Sequence, residues 1–376
     1  MHMSHRSPST SRRRALSSFL AGVLTLAVVL GSACTGGGGA TGAATPAPTS
    51  NTRGETLAKV KARGVLRVGV NDALPGFGYL QPDGTFAGFD VDFGRAIAAA
   101  VLGDAKKVEL VPVSATNRFE ALQSGQIDVL LRNTSWTIGR DTTIGMSFSV
   151  PTFYDGQGVM VWTRDRITDL QDLDGAVVCA LASTTTQLNA EDTFAGTRVR
   201  YKALAFDRAE TLQEAFIDGR CDAWTADKSQ LVARRASFPK EVGGPDALQL
   251  LPVTLSREPL AAATKQDDPA WSELVNWVIL GMMLADDTGV TSVNVDEVVA
   301  HPTSAEVARL LGAPEDGQIF NPGLGLSPGF MRDVVKQVGN YDEVYRRNIE
   351  PLGISRRNSP NASYRQGGLM YTPPWR

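Results

Sequence analysis

The residues with the clearest chemical potential lie in one short segment, 128–141, which reads Asp-Val-Leu-Leu-Arg-Asn-Thr-Ser-Trp-Thr-Ile-Gly-Arg-Asp. An apolar strand pattern is followed by a turn rich in hydroxyl and amide groups, and then by Arg140. Open α/β sheets bind ligands at the carboxyl ends of their strands, and a planar guanidinium can hold a carboxylate with two parallel hydrogen bonds. The segment therefore predicts a binding site for a small carboxylate. Taken alone, Arg140 could equally be a solvated loop charge.

Histidine is almost absent from the part of the chain that could form a catalytic site. Of the three histidines, His2 and His5 lie near the N-terminus, which leaves His301. A histidine-based catalytic triad or a histidine-rich metal site would need more than one. We therefore expect no catalytic residues, no metal and no cofactor.

Residues 1–33 have the composition of a signal peptide. They carry four arginines and no acidic residue, and their apolar run, 16–30, ends in Gly-Ser-Ala directly before Cys34. This pattern predicts lipoprotein processing with acylation of Cys34, and ordinary cleavage nearby or an uncleaved anchor is the alternative. Residues 34–54 consist mainly of Gly, Ala, Thr, Pro and Ser and are predicted to form a flexible tether.

Charge and hydropathy narrow the class of protein further. The formal net charge is −3, so removing a leader that carries four arginines leaves the mature chain near −7. Such an acidic chain is a poor nucleic-acid binder. The strongest remaining apolar run, 277–284, is too short to span a bilayer. We expect an exported monomer at the periplasmic or extracellular face of the cytoplasmic membrane, attached only through its lipid.

Strand and helix patterns alternate along the chain in two similar series, which predicts an α/β fold with two lobes. Each lobe is expected to be an open mixed sheet flanked by helices, with residues 55–155 in lobe 1 and 156–253 in lobe 2. Residues 254–376 are expected to return to lobe 1 and to add a helical extension. The strands predicted for lobe 2 include 176–181, 199–202 and 222–226.

Two cysteines besides Cys34 remain, Cys179 and Cys221. An exported compartment favours disulfides. Both cysteines adjoin predicted strands that could be neighbours, so we predict that they are bonded to each other. The alternative is two buried free thiols.

Several segments together resemble the periplasmic amino-acid-binding proteins of ABC importers, solute-binding protein family 3. The first four are Leu-Arg-Val-Gly-Val-Asn at 66–71, Gly-Phe-Asp-Val-Asp at 88–92, Leu-Gln-Ser-Gly-Gln-Ile-Asp at 122–128 and Gly-Arg-Cys-Asp at 219–222. Segments 132–137, 154–158, 182–189, 336–341 and 367–374 are similar to the general L-amino-acid-binding branch. The resemblance runs from about residue 56 to the C-terminus. It implies a type II periplasmic-binding-protein-like fold with a two-strand hinge.

In that family the two lobes close on the ligand like a clamp. The resemblance implies that Arg140 binds the ligand's carboxylate, with Thr184 and Thr185 at the start of a helix whose free N–H groups also attract anions. Ser183 departs from the glycine usual at its position. Asp227 matches the acid that binds the α-ammonium, and it could also cap the following helix.

The resemblance also points to residues of lobe 1 that contact the ligand. Asn133 and Ser135 match a polar ligand-binding turn, although ordinary turn chemistry would also explain them. Asn71, Leu74 and Phe77 occupy positions that line the side-chain pocket in relatives. The neutral Asn71 argues against strict specificity for lysine or arginine and favours a broad pocket. Leu74 and Phe77 could instead belong to the core.

The function implied is that of an extracytoplasmic substrate-binding protein that captures free L-amino acids by lobe closure and delivers them to an ABC transporter permease. An exported enzyme on the same fold, similar to cyclohexadienyl or arogenate dehydratase, is the first alternative. Such an enzyme would need a general acid or base in the cleft, and only carboxylates are available for that role. A sensor ligand-binding domain is the second alternative.

Overall fold

A computed structural model describes residues 54–376 and arranges them as two α/β lobes. The strands are β1 Leu66–Val70, β2 Ala73–Leu74, β3 Gly78–Leu80, β4 Phe86–Ala87, β5 Val108–Pro112, β6 Val129–Leu130, β7 Met146–Asp155, β8 Gln157–Trp162, β9 Val177–Leu181, β10 Lys202–Phe206, β11 Ala223–Asp227, β12 Leu248–Leu250 and β13 Glu258–Lys265. The helices are α1 Glu55–Arg63, α2 Phe89–Leu102, α3 Arg118–Gln123, α4 Thr185–Ala195, α5 Ala209–Ile217, α6 Lys228–Ala236, α7 Pro269–Asp287, α8 Val295–Ala300, α9 Ala305–Leu311, α10 Phe330–Gln337 and α11 Tyr341–Asn348. The predicted signal peptide and Cys34 lie outside the described residues.

The two lobes have sheets of the same design. In lobe 1 the strand order is β5-β1-β6-β13-β7, and in lobe 2 it is β10-β9-β11-β8-β12. Three parallel strands form one side of each sheet, and the next strand, β13 in lobe 1 and β8 in lobe 2, runs antiparallel to them. The outermost strand, β7 or β12, is antiparallel to that strand and so parallel to the first three. A small third sheet, β2-β3-β4, precedes α2. The mixed two-lobed α/β fold expected from the sequence is confirmed.

The chain crosses between the lobes at two adjacent places. β7 ends at Asp155, and β8 begins two residues later; the return crossing ends at Glu258, which pairs with Asp155 in the antiparallel register of β7 and β13. A Cβ added to Gly156 would lie 2.6 Å from Thr254 Cγ2 and 3.0 Å from Ser256 O. The close packing of the two crossings therefore requires glycine there.

Aromatic rings join the C-terminal helices to the core of lobe 1. Phe89 at the start of α2 packs edge-to-face against Tyr341 and Tyr345 of α11, with ring centroids 5.8 and 6.0 Å apart. The Tyr341 hydroxyl donates to Thr152 O in β7 at 2.8 Å. Edge-to-face geometry is the favoured one for such rings. The C-terminal helices thus complete the hydrophobic core of lobe 1. Within residues 54–376, no helix is long and apolar enough to cross a bilayer.

One strand of lobe 2 begins later than the sequence pattern indicates. The prediction of a strand at 199–202 is wrong, because β10 starts at Lys202 and pairs with β9 along its whole length, from Lys202 opposite Val177 to Phe206 opposite Leu181. The apolar residues Val199 and Tyr201 contact the lobe 2 core from the segment before the strand. Pairing with β9 therefore determined the strand, and the local apolar pattern did not.

Cys179 of β9 and Cys221, just before β11, form a disulfide in the core of lobe 2, as predicted. Their Cα atoms are 5.8 Å apart, and both side chains are fully buried. The bond links β9 to the segment between α5 and β11.

Replacing both cysteines by alanine is expected to lower the free energy of unfolding of lobe 2. The cysteines are 42 residues apart in sequence, and loss of that loop closure corresponds to about 4 kcal/mol in the chain-entropy model. Urea denaturation of the double variant and of the unreduced wild type measures the difference. Two thiols alkylated in the native unreduced protein would contradict the disulfide itself.

Candidate functional site

A narrow cavity lies where the two lobes meet, and residues of both lobes line it. Its volume is about 20 Å³. It brings together the predicted residues Arg140, Asp227, Asn133, Ser135, Thr184 and Thr185. The other lining residues are Arg118, Arg132, Leu181, Thr186, Ala226 and Gln230.

Arg140 is held rigidly on the lobe 1 wall. It lies in a π-helical turn, Gly139–Thr143, that follows the polar turn after β6. Its Nη1 donates to Ser135 O at 2.7 Å, and its guanidinium lies 5.4 Å from the centroid of the Phe119 ring. Burial lowers the pKa of Arg140, while Glu258 and Asp227 act in the opposite direction. A guanidinium fixed in this way is preorganised to bind an anion.

Two further arginines, which the sequence reasoning did not single out, line the same wall. Arg118 is 2 % exposed, and its Nε has no hydrogen-bond partner among the described residues. Burial, followed by the nearby cations Arg140 and Arg132, holds the pKa of Arg118 well below its usual range. Burial also lowers the pKa of Arg132 to about 10. Arg118 sits in the first turn of a short helix, and no sequence signal marked it.

Asp227 faces these cations from lobe 2. It is the last residue of β11 and is 4 % exposed, and its Oδ2 accepts a hydrogen bond from Gln230 Nε2 at 2.7 Å. Its Oδ1 is buried without a hydrogen-bond partner among the described residues, and the side chain makes no capping bond to α6. Burial raises the pKa of Asp227 well above its usual value, and the neighbouring Asp155 and Glu258 raise it further. An ammonium group at Oδ1 would relieve this cost.

Glu258, the first residue of β13, links the two lobes through its carboxylate. Its Oε2 accepts hydrogen bonds from Ser135 Oγ in lobe 1 and from Thr185 Oγ1 in lobe 2, the latter at 2.9 Å. Its Oε1 accepts from Asn189 Nδ2 at 2.7 Å and from Ser256 Oγ at 2.5 Å. The predicted residues Ser135 and Thr185 therefore use their hydroxyl groups to hold Glu258. No sequence pattern pointed to Glu258, because its role depends on the pairing of the two crossings.

The polar turn of lobe 1 is fixed by buried hydrogen bonds. Asn133 has a positive φ of 36°. Its N–H donates to Asp90 Oδ2 at 2.7 Å, and its Oδ1 accepts from Asn71 Nδ2 at 3.2 Å. Burial raises the pKa of Asp90 to about 7, against the opposing effects of the Asn133 N–H and of Arg132. Asp90 and Asn71 thus hold the turn in a conformation that asparagine tolerates better than most residues.

The start of α4 forms the opposite side of the cavity. Thr184 caps the helix, because its Oγ1 accepts from Gln187 N at 3.3 Å while it lies 2.6 Å from Leu181 O, to which it donates. Ser183 adopts a φ of 59°, in the region where glycine is the least strained residue. The first N–H groups of a helix have no intrahelical acceptor, so this wall suits an anion.

Of the three residues predicted to line a side-chain pocket, two line a cavity and the third lies in the core of lobe 1. Asn71 and Leu74 line a second cavity of about 230 Å³ beside the first. Phe77 is fully buried in the lobe 1 core, with its ring centroid 5.3 Å from that of Phe153, and lines neither cavity. The apolar ring of Phe77 is stabilised by this packing. Within residues 54–376, no cluster of three or more histidine, cysteine or acidic side chains is placed to hold a metal ion.

The chain is similar to a well-defined group of proteins. Residues 66–288 match the family of bacterial extracellular solute-binding proteins, family 3. The general L-amino acid-binding periplasmic protein AapJ of Rhizobium johnstonii is 42% identical over 324 residues, which cover 85% of this chain and 93% of AapJ. The putative amino-acid ABC transporter-binding protein YhdW of Escherichia coli is 40% identical over 86% of this chain and 93% of its own length.

A solved structure is similar over almost the same range. It is an ABC transporter periplasmic binding protein from Brucella ovis with glutathione bound. The two sequences are 40% identical, and the structures superpose with a TM-score of 0.80 over 85% of this chain and 99% of the other.

Replacing Asp90 by asparagine is expected to stabilise the protein above neutral pH. The pKa of Asp90 is raised to about 7 from an ordinary 3.8, so its ionised form destabilises the fold as pH rises through that interval. An amide keeps the acceptor for Asn133 N–H without ionising. The free energy of unfolding should increase by about 2–4 kcal/mol at pH 8, and the gain should vanish near pH 4.

Urea denaturation at several pH values measures this gain. Asp92→Asn, on the same helix, is the matched control, because Asp92 forms ion pairs with Arg95 and Arg347. That variant should lose stability at pH 8. A gain for Asp90→Asn that is the same at pH 4 and pH 8 would show that ionisation is not its cause.

Proposed function

Because the chain belongs to the bacterial extracellular solute-binding proteins, family 3, we propose that it is an extracytoplasmic substrate-binding protein of an ABC importer. It captures free L-amino acids by lobe closure and delivers them to the membrane permease. The proposal rests on two buried polar atoms of opposite charge that line one cavity and have no hydrogen-bond partner among the described residues, Asp227 Oδ1 in lobe 2 and Arg118 Nε in lobe 1.

An amino-acid zwitterion complements both walls at once. Its carboxylate can accept hydrogen bonds from Arg140 and Arg118, and its ammonium can donate to Asp227 Oδ1. A buried charge left without a partner is costly, whereas a ligand that carries both charges removes the cost on both sides. Neither a simple anion nor a simple cation would do so. The site thus favours the group that all free amino acids share.

Closure follows from the division of the site between the lobes. Arg140 and Asp227 belong to different lobes, so a ligand contacts both only when the lobes meet. Glu258 supports the closed form, because its carboxylate accepts hydrogen bonds from side chains of both lobes. A ligand then shifts the equilibrium between open and closed forms by its stronger contacts in the closed form.

A broad range of ligands is supported by the neutral Asn71 beside the cavity and by the name of AapJ as a general L-amino acid-binding protein. Glutathione, the molecule bound in the Brucella ovis structure, carries the same zwitterion at its γ-glutamyl end. We therefore propose that recognition centres on the zwitterion and tolerates variation beyond it.

The proposed location is the outer face of the cytoplasmic membrane, with export directed by residues 1–33, an anchor at Cys34 and a monomeric mature protein. We also propose that the protein is not an enzyme. Asp227 has the raised pKa that a general acid would need, but the ammonium of the ligand is its proposed partner. Turnover of a prephenate-like substrate would support the dehydratase alternative instead.

Arg140→Ala is expected to remove amino-acid binding. A bound ligand raises the melting temperature of the protein according to its concentration and affinity, and loss of one partner of a buried charge pair costs about 2–5 kcal/mol. Affinity should therefore fall at least about thirtyfold. A thermal-shift screen with the common L-amino acids, followed by calorimetry, measures this loss. Arg357→Ala, which removes an exposed arginine, is the control and should bind normally.

Asp227→Asn is expected to abolish amino-acid binding while it stabilises the protein without ligand. This variant should also lose binding, because an amide does not neutralise an ammonium. Its melting temperature without ligand should rise, since a buried carboxylate with a raised pKa is removed. Undiminished amino-acid affinity in both Arg140→Ala and Asp227→Asn would show that the site is elsewhere.

Glu258→Gln is expected to shift the equilibrium toward the open form. The amide nitrogen cannot accept hydrogen bonds, so about half of the contacts to Glu258 are lost, at roughly 1–3 kcal/mol. Amino-acid affinity should fall about tenfold, and the distance between spin labels on the two lobes should increase without ligand. Ser256→Ala removes a contact to the same carboxylate from within the crossing and should change the distance little. An unchanged distance and affinity in Glu258→Gln would rule out its role in closure.

A further inference from the structure

The cavity proposed to hold the zwitterion adjoins the second cavity. The second cavity measures about 230 Å³ against about 20 Å³ for the first. Three side chains, Arg132, Leu181 and Gln230, line both. A ligand whose head group occupies the first cavity can therefore extend directly into the second, which has room for several water molecules or a comparable number of ligand atoms.

The most buried charged side chains of the second cavity are cationic. Arg132 is 7 % exposed, and its Nε donates to Val113 O at 2.8 Å, the one hydrogen bond of this side chain among the described residues. The side chain of Arg234 is 12% exposed, and its Nη2 lies 3.6 Å from Glu210 Oε1. The guanidinium of Arg132 thus retains donors for a ligand.

The acidic residues of this cavity are less buried or already paired. Glu210 lies within 3.4 Å of Arg208 and 3.6 Å of Arg234. Asp207 is exposed, and Asp72 is half-buried. A second anionic group of a ligand is therefore better matched to the deep part of the cavity than a second cationic group.

Neutral polar side chains complete the walls. Asn71, Ser114, Asn117 and Gln230 line the second cavity. Amide and hydroxyl groups can both donate and accept hydrogen bonds. They match the amide bonds of a peptide-like chain better than they match a purely aliphatic side chain, which would leave these polar groups unpaired.

We propose that the second cavity is a subsite for ligands larger than the standard amino acids, in which an amide-linked extension ends in a carboxylate held by Arg132 and Arg234. γ-Linked peptides of glutamate have this chemistry. The inference rests on the proposed function, because it assigns the amino-acid head group to the first cavity. Specificity among extended ligands then depends on the second cavity.

Calorimetry on the mature chain with three probes tests the subsite. The probes are glutathione, its glycyl monoethyl ester, which lacks the terminal charge, and L-glutamine, which has no second carboxylate for Arg234. Wild type should bind glutathione at least about tenfold more tightly than the ester. In Arg234→Gln that ratio should fall below about twofold, with L-glutamine affinity unchanged. Arg198→Gln, the same substitution at an exposed position of lobe 2, should preserve the wild-type ratio.

A second variant tests whether binding needs the volume of the second cavity, in addition to the charge of Arg234. Ala209 at the start of α5 lines the second cavity and does not line the first. Ala209→Trp should weaken glutathione binding more than about tenfold by filling the cavity, and it should leave L-glutamine binding intact. Normal L-glutamine binding also shows that each variant is folded.

The outcomes separate this inference from the proposed function. Equal affinity for glutathione and its ester in wild type, or binding of L-glutamine without glutathione, would overturn the subsite and leave amino-acid capture standing. An equal loss for all three probes in Arg234→Gln would also overturn it. If neither glutathione nor any common L-amino acid binds wild type, amino-acid capture itself fails.

Discussion

Unlike charges buried on facing walls of the cleft are the constraint on which the rest of the structure depends. Asp227 is buried near Asp155 and Glu258, which raises its pKa, while Arg118, Arg132 and Arg140 are buried on the other wall, where burial lowers their pKa values. Keeping charged groups out of water is costly unless partners compensate them. A zwitterion would compensate both walls, which is the physical basis of the proposed function.

The fold places these charges where they are because its strands end at the cleft. Asp227 is the last residue of β11, and Asp155 ends β7 opposite Glu258, the first residue of β13. The crossings therefore serve two purposes, since they connect the lobes and carry two of the three clustered carboxylates. The hydrogen bonds of Glu258 to side chains of both lobes link this carboxylate cluster to the relative position of the lobes.

Local pattern predicted those parts of the fold that depend on local interactions. The disulfide between Cys179 and Cys221 follows from export and from the adjoining predicted strands. Strand β10 begins a few residues later than the sequence pattern predicts, because an edge strand takes its register from the strand beside it. Phe77 is apolar, so its sequence position allows either a pocket or a core location. Packing against Phe89 and Phe153 places it in the core.

The sequence by itself determined the residue types at the ends of the strands, and with them an arginine, an acid and a threonine-rich helix start that suit a zwitterion. Only the tertiary structure decided that Arg118 lines the same cavity as Arg140 and Asp227, because these residues come from separate elements that the packing of the two lobes brings together. It also decided that Ser135 and Thr185 hold Glu258. Hydrogen bonds between distant segments depend on the packing of whole lobes, so they cannot be predicted from the local sequence pattern.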